Sequence, residues 1–402
     1  MQTRIITKDI PAAADVIQNG GLVAVPTETV YGLAGNGLNE ASVRQIYEVK
    51  GRPAVKPLSL MVPDPSALER YGTEVPEQAR TLAEQYWPGP LTIVVKARPE
   101  IPPIVLAGGK TVGLRCPDHP LTLELLQECT LPLAAPSANP SGRPSPKTAQ
   151  QVLDYFDGQI DCVIDGGPCG IGTESTIIDM SVKPFRILRQ GALPEEEIAD
   201  ILADAVKVIG VTGGSGAGKT TALQALEESG ACVIDCDALY HELLQSCRPM
   251  LDELGNSFPS AVSDGAVDRK VLGAIVFSDP DALLRLNAIT HRYVREAVAQ
   301  RLRAFAMQGF TLAAVDAAEL IAGGLGERCL ATVAVVSEEE KRIERITARD
   351  GISREAAQKR IRAQKPDCYY RENCDYILEN NADRERFLDD CRRLIKEILA
   401  NG

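Results

Sequence analysis

Residues 208–223 read VIGVTGGSGAGKTTAL, and this stretch decides the fold of the second half of the chain. Val208 to Val211 is a short apolar strand pattern, and a helix pattern runs from Thr220 to Glu228. Between them Gly213, Gly218, Lys219 and Thr220 meet the spacing G-x-x-x-x-G-K-[ST]. Glycines let the backbone turn tightly and aim its N–H groups at phosphate oxygens. The loop Gly213, Gly214, Ser215, Gly216, Ala217, Gly218, Lys219, Thr220, Thr221 is therefore expected to bind ATP or GTP. Lys219 would reach the β/γ-phosphates, and the Thr220 hydroxyl would hold Mg²⁺. Such a strand normally opens a domain, yet half of the 402 residues stand before it.

Working outward, that length is too great for one ordinary core and predicts two domains. The content is 45% hydrophobic and 24% charged, as in folded globular chains. No apolar run is long enough to span a membrane, and MQTRIITKDIPAAADVIQ lacks the pattern of a secretion signal. A cytoplasmic location without membrane attachment is expected. The eleven cysteines are scattered, which predicts reduced thiols, and none of their spacings predicts a zinc site. A net charge of −12 argues against a broad nucleic-acid-binding face, so stable nucleic-acid binding is not expected. The substrates expected are small and anionic.

In the first half, LVAVPT, PLSLMV, LTIVVKA, TVGLRC, LPLAAPSA, CVIDGG, STIID and FRILRQG read as strands. Helical patterns at residues 40–50, 77–86 and 121–129 lie between some of them. The glutamates after Pro194 start another helix, which runs into the strand at Val208. The expected domains are residues 1–205 and 206–402, both α/β.

The strand after the phosphate loop, within ACVIDCDALYHELL, ends in Asp235 and Asp237. Residues i and i+2 of a strand share a face, so both carboxylates are expected toward the cleft, where one can take the proton of an acceptor hydroxyl. VIGVTGGSGAGKTT, VIDCDALYHELL, LNAITHRYVREAV and RITARDGISREAAQKRIRAQ followed by CDYILENN together resemble the dephospho-CoA kinase family over residues 207–400. The resemblance implies a parallel sheet flanked by helices. It makes Asp237 the base on the ribose 3′-hydroxyl of dephospho-CoA, puts Arg349 and Arg345 on a mobile lid over the ATP phosphates, and places His291 in a family segment. Where many of these kinases read D-x-P-L-L-F-E, this chain has AAVDAAELIAGGL, which keeps Asp316 and offers Glu319 without the aromatic. Related P-loop kinases for shikimate or nucleosides are the alternative.

The first half has no phosphate loop, but its polar residues fall at strand ends. PTETVYGLAG sets Thr27, Glu28, Thr29 and Tyr31 before a Gly-rich turn, and KGRPAVKPL supplies Lys50, Arg52 and Lys56 around two prolines. Cations on a rigid turn can grip a polyphosphate. APSANPSGRPS gives Ser137 and Asn139, and GIGTESTIID gives Ser175 and Thr176. PTETVYGL, KGR, WPGPLT, TVGLRCP, SANPSG, GTESTI and ILRQG resemble, in order, the threonylcarbamoyl-AMP synthase (YrdC/Sua5) family over residues 12–192. The resemblance implies a twisted α/β sheet around a deep cavity. There L-threonine and bicarbonate would form a carbamate that attacks the α-phosphate of ATP and releases pyrophosphate, with Mg²⁺ assisting. It assigns Thr27, Arg115 and Ser137 to threonine and Lys50, Arg52, Thr111, Asn139 and Arg189 to ATP. Lys50 and Arg52 are also the catalytic cations, and Ser175 and Thr176 meet either substrate. The product would pass to the tRNA-modifying machinery. Alternatives are an RNA-binding first half or one catalytically silent half.

Overall fold

The computed structural model describes residues 2–263 and 265–401. Two compact units divide the chain. One runs up to Leu202 and includes Met307–Gly309; the other runs from Ala203 to Ala306 and resumes at Phe310.

The first unit is built on an eleven-stranded mixed sheet. Its middle is Val23–Val25, Gly32–Asn36, Leu133–Ala134, Ser59–Met61, Thr111–Arg115 and Leu91–Ala97, in that spatial order. The read strands appear, slightly trimmed, and the helices Glu40–Lys50 and Glu77–Tyr86 keep their predicted bounds. One expectation fails: GLAG is no turn but the strand Gly32–Asn36, antiparallel to Val23–Val25. Glycine is rare in strands unless something approaches closely. Here a Cβ on Gly35 would lie 3.0 Å from the Leu22 side chain and 3.3 Å from that of Ile46 in the helix Glu40–Lys50, so any larger residue would press these neighbours aside.

The second unit holds a five-stranded parallel sheet in the order Cys232–Asp235, Leu312–Asp316, Lys207–Thr212, Ala331–Val336, Tyr376–Glu379. Parallel strands covered on both faces read as unbroken apolar runs, and all six residues of Ala331–Val336 are buried. On one face Ile209, Val211, Val333 and Val335 pack against Ala222, Ala225 and Leu226 of the helix Lys219–Glu228 and against Phe387 and Ile395 of the helix Arg384–Asn401. On the other, Ala334 and Val336 meet Tyr370. Because all strands point one way, their carboxyl ends line up, and the phosphate loop and Asp316 emerge on the same edge.

Candidate active sites

The first unit encloses a cavity of about 450 Å³. Its cationic wall begins with the KGR stretch. Asn39 caps the helix Glu40–Lys50 by accepting from the amides of Ala41 and Ser42, and Gly51 ends it at φ 56°, a left-handed conformation suited to glycine. The turn sends the two cations to different places. Lys50 is buried and its Nζ donates to the carbonyls of Ser137 and Asn139, so it clamps the SAN loop from behind and does not line the cavity. Arg52 does line it, with Nη2 on the Pro57 carbonyl at 2.8 Å and Nε on that of Lys56 at 3.2 Å. Burial, followed by repulsion from Arg52, lowers the Lys50 ammonium to about 8, against a pull upward from Glu174.

Arg115, Ser137, Thr111, Ser175 and Arg189 also line the cavity. Arg115 ends its strand with Nη2 donating to Glu28 Oε1 at 2.7 Å and Thr29 Oγ1 at 2.8 Å, and with Nε donating to the Gly89 carbonyl at 3.2 Å. The Arg189 guanidinium holds Glu174 Oε2 at 2.7 Å and the carbonyl and Oγ of Ser175 at 2.9 and 3.0 Å. Each of these arginines is thus already matched to a carboxylate of the chain. Three other expected ligands serve the walls instead. Thr27 Oγ1 donates to the Val30 carbonyl at 2.7 Å and accepts from two amides of its own turn. Thr176 Oγ1 donates to the Leu193 carbonyl at 2.6 Å and accepts from the amides of Gly191 and Leu193. Asn139 spends Nδ2 on the carbonyls of Pro140 and Arg143, and its buried Oδ1 has no hydrogen-bond partner. Lys56, expected with the polyphosphate-gripping cations, lines the cavity, whereas Thr92 and Glu174, which line it too, and Glu28, which pairs with Arg115, were not among the expected ligands. Carboxylates are not what an anion site leads one to seek, although Glu28 and Glu174 stand inside motifs already quoted.

In the second unit the phosphate loop is held by its glycines. Gly213, Gly216 and Gly218 have φ of 135°, 75° and 111°. Lys219 Nζ donates to the Gly213 carbonyl at 3.2 Å and lies 3.9 Å from Asp316 Oδ1. That oxygen is buried and without a hydrogen-bond partner, and burial raises the Asp316 carboxyl to about 6, against the pull of Lys219. Thr220 stands one residue beyond, in the first turn of the helix. A carboxylate and a hydroxyl beside a phosphate cradle are the hard oxygen donors magnesium takes when phosphates complete its shell. Among the described residues no group of three or more His, Cys, Asp or Glu could hold a metal by itself.

The two acids stand on different elements, both near enough to Asp316 to raise its carboxyl. Asp235 ends the strand and caps the next helix, its Oδ1 accepting from the amides of Asp237 and Ala238 at 2.9 Å each. The strand alternation stops there because Cys236 already begins the helix Cys236–Ser246. Asp237, in its first turn, instead lines a pocket of about 230 Å³ with Tyr240, Thr290, His291, Ala317 and Glu319. Burial lowers the His291 imidazole, and Glu319 opposes this. The expected lid arginines also separate. Arg345 Nη1 donates to the carbonyls of Gly216 and Ala217 at 3.1 and 3.2 Å, so it grips the phosphate loop from outside. Arg349 is exposed and paired with Asp350.

Family comparison agrees with this geometry. The Sua5/YciO/YrdC model, described as "Telomere recombination", matches residues 15–191, and the dephospho-CoA kinase model matches residues 207–385. A threonylcarbamoyl-AMP synthase of Pyrococcus abyssi is 46% identical over 204 residues, covering 51% of this chain and 60% of the relative. A relative from Methanocaldococcus jannaschii, provisionally given the same name, is 38% identical across 46% of this chain and 86% of its own length. A dephospho-CoA kinase of Anaeromyxobacter dehalogenans is 37% identical over 195 residues, 48% of this chain and 92% of the relative.

The chain belongs to both families.

It joins a Sua5/YciO/YrdC-family half to a dephospho-CoA-kinase-family half, and the P. abyssi synthase runs on well beyond the 60% that the match spans. In the kinase-family half the pocket lined by Asp237 and the phosphate loop meet at neighbouring residues. Ala317 lines the first, and Asp316 faces Lys219 of the second.

Proposed function

We propose that the chain is a bifunctional enzyme with one ATP-using site in each half. The first half forms threonylcarbamoyl-AMP from L-threonine, bicarbonate and ATP with release of pyrophosphate, and its product goes to tRNA threonylcarbamoyladenosine modification. The second half phosphorylates the 3′-hydroxyl of dephospho-CoA with ATP, completing coenzyme A. The observation that supports the first reading most is the convergence of Arg52, Lys56, Arg115 and Arg189 on one cavity, because the substrates bring a carboxylate and a triphosphate. The carbamate is an anionic nucleophile already, so the cavity needs no general base. Positioning and charge neutralisation carry the reaction.

For the second half, support comes from Asp237 in a pocket adjoining the phosphate loop. Asp237 takes the proton of the acceptor hydroxyl there, and Lys219 follows the charge of the transferring phosphoryl group. Thr220 and Asp316 would hold a magnesium ion brought with ATP, which supplies charge neutralisation at the phosphates. Two assays on the purified full-length chain test both readings. Pyrophosphate release should require L-threonine and bicarbonate together and fall greatly in Lys50→Ala or Arg52→Ala; release without threonine defeats the first assignment. ATP should place a phosphate on the 3′-hydroxyl of dephospho-CoA; transfer to shikimate or a nucleoside in its stead defeats the second.

A further inference from the structure

The phosphate loop is held from outside by side chains that follow the strand Ala331–Val336, which neighbours the central strand Lys207–Thr212. Arg342, in the helix Glu339–Asp350, is buried and its Nε donates to the Ser215 carbonyl at 3.0 Å. Its Nη2 donates to Gln364 Oε1, also at 3.0 Å. Gln364 turns both ends of its amide to the same loop residue: Oε1 accepts from the Ser215 amide at 2.9 Å, and Nε2 donates to Ser215 Oγ at 2.8 Å. Arg345 takes the next two carbonyls, and Asn380 Nδ2 shares that of Ala217 at 2.7 Å. Three successive loop carbonyls are therefore engaged, and Ser215 is fixed at its N–H, C=O and hydroxyl.

Engaging the carbonyls decides where the amides point. Ala217 donates back to the Gly214 carbonyl at 3.1 Å and Ser215 to Gln364, whereas among the described residues the amides of Gly213, Gly214, Gly216, Gly218, Lys219 and Thr220 donate to no protein atom. Those amides are the donors a phosphate chain can take. The packing leaves no slack: a Cβ on Gly214 would stand 2.1 Å from Arg342 Nη2 and 3.0 Å from Gln364 Oε1.

We propose that Arg342 and Gln364 are positioning residues for the nucleotide, a joined pair that holds Ser215 so that the loop is set to receive phosphates before they arrive. The proposal rests on reading this loop as an ATP site. A preset loop binds more tightly because less ordering remains to be done on binding. Loss of the Gln364 bonds should therefore weaken ATP by about three- to tenfold, the scale of one or two neutral hydrogen bonds. Arg342→Lys keeps the charge but cannot span both Ser215 and Gln364, so its effect should lie between wild type and Arg342→Met.

Hydrogen exchange of peptides covering residues 212–223 in the full chain, with and without ATP, reads the loop directly and needs no acceptor. In Gln364→Ala the ATP-free loop should exchange faster, and the ATP concentration that half-protects it should rise about three- to tenfold. In the phosphorylation assay the KM for ATP should rise likewise, with kcat, the KM for dephospho-CoA and the melting temperature unchanged. Loop exchange and ATP midpoint equal to wild type overturn the proposal. So does a rise in both KM values with a lower melting temperature, which marks a general structural role. A wild-type loop that ATP never protects sinks the nucleotide reading instead, while ATP-free exchange in the variants still decides whether the pair orders the loop.

Discussion

With its ammonium lowered to about 8, Lys50 is charged below that pH and neutral above it. Since the neutral amine holds the carbonyls of Ser137 and Asn139 less firmly than the ammonium does, the loop that carries Ser137 to the cavity should loosen, and the KM for ATP in threonine-dependent pyrophosphate release should rise as pH climbs past about 8. Lys50→Met should be slow throughout and flat over the same window; a retained pH dependence would give the titration to another group. Side chains at the kinase-family site separate two roles. Asp237→Asn keeps the shape of the acceptor-side pocket and removes its base, so kcat should fall by about 10²- to 10⁴-fold with little change in KM for ATP. Lys219→Ala should cost both, because this ammonium touches the loop and follows the phosphoryl charge. Near-wild-type turnover in Asp237→Asn would mean the base is another residue.

At the scale of elements, backbone geometry in the loop between the strand Lys207–Thr212 and the helix Lys219–Glu228 is as selective as its side chains. Gly213 has φ 135°, and a Cβ there would stand 2.2 Å from the Val335 carbonyl, a backbone atom that cannot swing aside. Gly213→Ala should therefore move the loop and abolish phosphorylation, at a stability cost of about 1–3 kcal/mol. Pyrophosphate release by the other half serves as the internal control, since it should persist. The turn after the strand Thr176–Asp179 works differently: one hydroxyl, Thr176 Oγ1, ties three backbone groups at Gly191 and Leu193. Thr176→Val leaves two amides and a carbonyl without it and should destabilise by about 1–3 kcal/mol in thermal unfolding, a cost a mere cavity ligand would not show.

On the scale of the whole molecule, each unit has its own sheet, with strands drawn from residues 4–189 in one and 207–379 in the other, and no strand is shared. Separate expression of residues 1–205 and 206–402 should accordingly yield two soluble pieces, the first releasing pyrophosphate and the second phosphorylating dephospho-CoA. Precipitation of both pieces, or loss of both activities on separation, would mean that neither half folds unaided. No helix among the described residues is long and apolar enough to cross a membrane.

Much of this was written locally. Short β-branched runs bounded by Gly and Pro located the strands, and the spacing from Gly213 to Thr220 located the phosphate loop, because both depend only on neighbours in the chain. The sequence by itself also determined both family memberships, through motifs whose order survives whatever the fold does with them. Tertiary structure alone decided which motif residues reach a site. Thr27, Thr176 and Lys50 carry the right chemistry but spend it on backbone groups, Ser137 and Asn139 being the partners of Lys50 across 87 and 89 residues. Asp235 also serves as a helix cap, because the strand ended there and Cys236 began the next helix before the alternation reached Asp237. Glu174, Arg342 and Gln364 gained their places in the same way, from contacts with Arg189 and Ser215 that no spacing encodes. A buried polar group must find a partner, and the partner is chosen by the fold, at distances along the chain where sequence pattern carries no signal.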